Sequence, residues 1–271
     1  MKKFHHYIFM AGTFLRLNVQ SALEYPTYLI GWLIANPLQF LFGVITVNVV
    51  VSKFQPLGGW GFEQLAFMYG LAIISHGLSV IFFVNQTWGM GYRITEGDFD
   101  RVLTRPLGIL FQFFFSDIQL IGVTDLIPGL VIFVYGCFAA HFQFTAYHIF
   151  LLILTILGAT LMRGGIYTVT GSLSFWFPRI GGLIDIHLGL FEIVGRYPLL
   201  IYPRPVQLFF TYIFPIAFLA FYPANQLLDK NTGFILPGNQ CLWTFCIGLA
   251  VYLFGALVFR LGMRRYESAG S

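Results

Sequence analysis

The 271 residues are 58% apolar and only 10% charged, with 15 Lys+Arg against 11 Asp+Glu, a net charge of +4 and 32 phenylalanines. A soluble domain is about a quarter charged, and at a mean hydropathy of +0.78 the polar groups are too few to cover a surface in water. A soluble enzyme, a disordered chain and a nucleic-acid binder are excluded together, leaving an integral membrane protein.

In chain order, Phe4, Tyr7, Ile8, Ala11, Leu15, Val19 and Ala22 recur at three- and four-residue spacing. Residues 1–24 are therefore predicted as an amphipathic helix lying on the cytoplasmic membrane face. Arg16, Asn18 and Gln20 interrupt the apolar run, which argues against a cleaved signal. A crossing helix needs about 20 apolar residues. Residues 28–51, 62–84, 147–173 and 241–259 meet this, and Asn36-Pro37 and Pro128-Gly129 mark kinks. The apolar stretch 107–140 would be about 50 Å long as one helix, too long for one upright crossing. Its first part is expected to tilt or lie at the interface, with the crossing nearer 119–139. Between 177 and 228 two segments compete for the fifth crossing. Residues 180–197 carry Asp185, His187, Glu192 and Arg196, whereas 206–222 are more apolar but broken by Pro215. With one of them crossing, the chain has six spans.

The basic residues set the orientation. Lys2, Lys3 and Arg16, then Arg93, Arg101 and Arg105, then Arg260, Arg264 and Arg265 fall on one side, against Lys53 and Lys230 on the other, joined there by Arg196 and Arg204 where 198–224 is re-entrant, which weakens the count without reversing it. By the positive-inside rule both termini are cytoplasmic. Trp60, Trp88, Trp176 and Trp243 fall near span ends, where amphipathic rings are favoured.

No catalytic or metal constellation stands out. There is no GxxxxGK[ST], HExxH, CxxC or GxSxG. Cys137, Cys241 and Cys246 read as packing thiols, and the scattered histidines, including His141 and His148, read as solvated or packed side chains rather than ligands.

The most informative segment is residues 92–107, between the second and third spans. Gly97 ends the preceding element and Asp98 can cap a new helix. Asp100 in its first turn and Arg101 and Arg105 toward its end complement the helix dipole, and Pro106 stops it. The expected product is a cytoplasmic helix of about two turns exposing Phe99, Val102 and Leu103. Such a helix suits docking into a groove on a cytosolic partner; a charged loop that merely satisfies the positive-inside rule is the other reading.

"ITEGDFDRVLTRPL" (residues 94–107) resembles the "IR-G-LD--L-RPL" signature of the ABC-2 type permease family, in its six-span branch of bacterial ABC exporter subunits. "GGWGFEQLAFMYG" (58–70), "RYPLLIYPRPVQLFFTYIFPIAFLAFYPA" (196–224) and the closing "FRLGMRRYESAGS" (259–271) are similar to family segments in the same order. Thr95 departs from the more often basic or polar residue there. The resemblance implies a single all-α membrane domain over 1–271, with six transmembrane helices and an outer re-entrant element at 198–224. It places the fifth crossing at 180–197 rather than 206–222. It implies that Glu96, Asp98, Phe99, Asp100, Arg101, Val102, Leu103 and Arg105 form a coupling helix docking into an ATPase. The implied partners are two cytosolic ABC ATPase subunits, a second permease copy or paralogue, and membrane lipids, with no nucleic acid. This chain would bind no cofactor, ATP and Mg being held by the partner ATPase, and would reside in the bacterial inner membrane.

Few charges fall inside spans. Arg163 costs about 2.5 to 3.5 kcal/mol near the bilayer centre unless paired or hydrated. Asp117 or Asp125 could pair with it and lock two helices, or Arg163 could line a translocation path. Asp185 and Glu192 share a helix face and are expected toward a dimer interface or a wet cavity. The leading reading is an exporter permease moving amphipathic or lipid-like cargo. Its rivals are a membrane-embedded lipid- or glycan-modifying enzyme and a non-transporting scaffold.

Overall fold

In an apolar surround each backbone N–H and C=O must be satisfied within its own segment, so charge-poor runs of this length fold as helices. A computed structural model describes residues 2–53, 57–177, 180–230 and 238–266, and among them there is no β-strand. The side chains of Lys2, Lys3, Phe4 and Thr95, and residues 267–271 of the closing motif, lie outside the described set.

The helices are α1 (Lys2–Glu24), α2 (Pro26–Lys53), α3 (Phe62–Phe83), α4 (Trp88–Thr95), α5 (Phe99–Thr104), α6 (Ile109–Phe115), α7 (Gly122–Ala139), α8 (Ala146–Ser172), α9 (Gly181–Arg196), α10 (Arg204–Leu208), α11 (Phe221–Leu227) and α12 (Gln240–Met263). Among the described residues, five are long and apolar enough to cross a membrane: α2, α3 continued into α4, α7, α8 and α12. The chain is an all-α membrane protein. The apolar stretch 107–140 divides into the short α6 and a spanning-length α7. Helix α9 has 16 residues, about 24 Å at 1.5 Å per residue, and is shorter than the length of an upright crossing.

Two helix pairs form the frame, α3 with α7 and α8 with α12, joined through α3 and α8. Lipid offers no hydrophobic gain for helix association, so close backbone approach and van der Waals contact must supply it. Glycines do this here. A Cβ on Gly70 would lie 2.5 Å from Phe133 Cα, and one on Gly136 would lie 2.4 Å from Phe67 N. On the other pair, a Cβ on Gly158 would meet Phe245 Cα at 2.5 Å and one on Gly248 would meet Gly158 O at 2.0 Å. The same register recurs one heptad later, where Gly165 faces Tyr252 and Gly255 faces Gly165.

These contacts fix the direction of each helix: α3 and α7 are antiparallel, and α8 and α12 are parallel. Helix α9 runs back along α8, with His187 against Tyr167 and the Arg163 guanidinium over Phe191. A 3₁₀ turn at Leu199–Ile201 completes its path, placing Leu200 against Gly58 at the far end of the bundle. Among the described residues, α2, α3, α7, α8, α9 and α12 thus alternate in direction along the bundle, five of them of spanning length, and α1 and the C-terminal end of α12 lie at the same end.

Between α9 and α12 the chain is broken into short pieces by Pro203, Pro205 and Pro215, since each proline lacks an N–H and resists continuation of a helix. It leaves the far end at Tyr202, reaches inward where Phe214 stacks on Phe191 at 6.4 Å, and returns where Phe221 meets Trp60 at 5.6 Å. The π-helical turn Phe209–Ile213 and the 3₁₀ turn Ile216–Leu219 line this inward loop. Its polar groups are held internally: Thr211 Oγ1 and the Tyr222 hydroxyl lie 2.8 Å apart, and Thr244 donates to Phe218 O at 3.3 Å.

Helix α1 rests on α6 by Tyr7, whose ring meets Phe111 at 4.7 Å, and by Asn18, which donates to Phe115 O at 3.1 Å. The covered stripe thus runs through Tyr7, Ala11, Asn18 and Ala22, while Ile8, Leu15 and Val19 of the expected apolar face stay exposed.

Candidate functional site

At the end that carries α1, helices α4, α5, α6 and α12 converge. Helix α4 stops where Glu96 N donates to Tyr92 O at 3.0 Å and Gly97 takes φ +77, a left-handed conformation that glycine adopts without penalty. Helix α5 is only six residues long, about 9 Å. Arg105 is extended ahead of Pro106 and closes it. Asp98 does not cap through its side chain; its carboxylate instead lies 3.3 Å from Arg101 Nη1. Both groups are well exposed, so this pair contributes less than about 1 kcal/mol.

The direction in which α5 faces differs from the sequence expectation. Phe99 and Val102 are buried and Leu103 is exposed. Phe99 sits among Phe113, Phe175 and Tyr266, with ring centres 6.1, 5.4 and 4.8 Å away. Met90 and Phe259 complete the cluster. Gln112 Nε2 donates to Val102 O at 2.9 Å and to Leu107 O at 3.1 Å, fastening α6 to α5 and to the turn that follows it. The Tyr266 hydroxyl donates to Asp100 Oδ1 at 3.1 Å. Burial, and then the adjacent Asp100 carboxylate, raises the Tyr266 phenol above its ordinary value. The outward face carries Glu96, Arg101, Leu103 and Arg105.

A second feature lies inside the bundle. A cavity of about 380 Å³ opens between α2, α3, α7, α8 and α9, with Asn36, Tyr69, His76, Asp125, Arg163 and Glu192 on its wall. Asn36 Nδ2 donates to Asp125 Oδ1 at 2.5 Å and to Thr124 Oγ1 at 2.8 Å, while His76 Nε2 lies 3.8 Å from Asp125 Oδ2. Glu192 pairs with Arg196, which also donates to the Tyr69 hydroxyl at 3.3 Å.

Residues 38–270 match the family profile described as "ABC-2 family transporter protein". The chain belongs to the ABC-2 transporter family. Among curated proteins, none matches it. Membership makes the chain a permease subunit of an ABC transporter, a transmembrane component that works with an ABC ATPase subunit.

Within this ABC-2 permease the ion pairs expected for Arg163 do not form. Asp117 precedes α7 and pairs with Arg93 of α4. Asp125, one turn into α7, faces α2 and α3. The break at residues 116–121 divides the two acids, and neither lies within 4 Å of the guanidinium. Of the acids on α9, Glu192 reaches the cavity and Asp185 is exposed away from it. The buried His187 packs between Tyr167 and Phe191, each 5.4 Å away.

Sequence reasoning missed Asn36 as a cavity group, treating it only as part of a kink, although an amide within an apolar span was the available signal. It also missed Gln112 and Tyr266, whose roles depend on contacts far apart in the chain. Asn36→Val is expected to remove two interhelical hydrogen bonds and cost about 1–2 kcal/mol. Chemical unfolding of the purified permease in detergent measures that loss.

Proposed function

We propose that this permease exports an amphipathic or lipid-like cargo across the bacterial inner membrane by alternating access. ATP hydrolysis on two partner ATPases drives the cycle, with ATP and Mg held by those subunits and none by this chain. A second permease, identical or paralogous, completes the pathway. Both termini are cytoplasmic: Arg16, Arg93, Arg101, Arg105, Arg260, Arg264 and Arg265 gather at the end of the bundle that carries α5, which supports this orientation. The inward loop at 198–224 then enters from the outer side and lies packed against protein, where non-helical backbone is tolerated.

The observation that carries the reading is the seating of α5. A six-residue helix bounded by Gly97 and Pro106 stands on an apolar, largely aromatic cluster drawn from α4, α6, α12 and the turn after α8. Phe99 is the anchor, while Leu103 and the charges around it face outward as the docking surface. Closure of an ATPase against that face would be passed to four helices through packed rings, because close-packed side chains yield little to compression. Co-expression with the neighbouring genes followed by purification of the permease tests the assignment. Recovery of a P-loop ATPase in stoichiometric amount is the expected result; a permease that purifies without any ATPase overturns it.

A further inference from the structure

Among the described residues, one charge on the cavity wall has no ion-pair partner. Arg163 is 3% exposed. Its Nη2 donates to Ala72 O at 3.4 Å, its face lies 4.6 Å above Phe191, the Tyr167 hydroxyl stands within interaction range, and among the described residues its buried Nε has no acceptor. Among the described residues no carboxylate lies within 4 Å of it. The two acids that share the cavity are engaged elsewhere, Asp125 by Asn36 and His76, and Glu192 by Arg196. A guanidinium in this state is a costly group, and its planar fork matches a phosphate or carboxylate better than any other partner.

Beside the polar Asn36, Gln39, Tyr69, His76, Asp125 and Glu192, the wall has an apolar and aromatic part: Phe40, Ile73 and Val80 line it, and Trp32, 39% exposed, stands at its edge on α2. A cavity of about 380 Å³ lies within the range of small-molecule sites, about 300–1,000 Å³. We infer that this cavity binds an amphiphile by one anionic headgroup, a phosphate or carboxylate, seated on Arg163, with its apolar part against Phe40, Ile73 and Trp32. This deepens the export reading and rests on it, for the cavity then holds the cargo class.

The test uses the full-length permease in dodecyl maltoside, an uncharged detergent, titrated with dodecyl phosphate while the thermal unfolding midpoint is followed. A saturable rise is expected. Arg163→Gln should weaken the apparent affinity by about tenfold or more, and Arg163→Lys, which keeps the charge but loses the fork, should fall between. Gly189→Leu supplies an arm that leaves Arg163 intact. Gly189 lines the cavity and a Cβ there meets nothing within 4 Å, so the leucine fits the fold while filling the ligand's space. It too should weaken dodecyl phosphate by about tenfold, the apolar counterpart of losing the charge.

Dodecanol giving the same saturable rise would show that the charge is irrelevant and overturn the proposal. Inorganic phosphate reproducing the full shift would assign a free-anion site and overturn the amphiphile. Unchanged affinity in both Arg163→Gln and Gly189→Leu would do the same. Neither nucleotide nor ATPase enters the measurement, so it can fail while the ATPase co-purifies, or succeed while it does not.

Discussion

Leu103→Asp is expected to abolish permease-dependent ATP hydrolysis in the assembled transporter and leave the unfolding midpoint of the permease unchanged. Leu103 is 45% exposed at the outer face of α5, and surface substitutions away from packing contacts move stability by no more than about 0.5 kcal/mol. An aspartate there places a desolvated charge in a protein–protein contact, which costs far more than the leucine contributes. Phe99→Ala should act in the opposite way. Phe99 is fully buried among Phe113, Phe175 and Tyr266, so its removal leaves a cavity under α5 and costs about 3–5 kcal/mol. Thermal unfolding and ATPase assays on the same preparations separate the two effects. Full stimulated hydrolysis with Leu103→Asp would rule out α5 as the docking element, and an unshifted midpoint for Phe99→Ala would rule out its anchoring role.

Gly248→Leu is expected to separate α8 from α12. A Cβ at this position falls 2.0 Å from Gly158 O, a backbone atom that no side-chain rotation can move. Overpacking of ordinary cores costs about 1–3 kcal/mol, and here the strain spreads along the whole helix pair because Gly165 and Gly255 repeat the contact one heptad further on. The readout is loss of monodisperse folded permease in size-exclusion chromatography and a lowered unfolding midpoint. Gly31→Leu serves as the control: a Cβ there meets nothing within 4 Å, so its midpoint should match the parent. Equal behaviour of the two variants would mean that α8 and α12 are not joined through their glycines.

The segment at 92–107 shows where sequence reasoning about structure succeeded and where it stopped. Its boundaries were legible because Gly97 and Pro106 act on their own backbone and need no distant partner. Its inward face was not, since six residues make fewer than two turns and carry too little periodicity to choose between Phe99 and Leu103 as the buried side. Arg163 follows the same division. Its position deep in a span was readable from the flanking apolar run, but its neighbours depend on the break at residues 116–121, which turns Asp117 toward Arg93 and Asp125 toward Asn36. The glycines at 122, 129 and 136 of α7 were visible as a heptad series, and a close helix partner could have been inferred from them, though not which one.

Composition alone determined that this chain lives in lipid, and the distribution of its few basic residues pointed to one end of the bundle, because the cost of burying charge depends on residue type and not on fold. The family motifs added the permease assignment for the same local reason: they are short, ordered runs. Only the tertiary structure decided that Phe99 is buried rather than exposed, that α9 ends after 16 residues, and that Arg163 faces the cavity without a carboxylate partner. Each of those facts is a contact between segments distant in sequence, set by which helix backbones can approach closely, and hydropathy carries no record of such pairings.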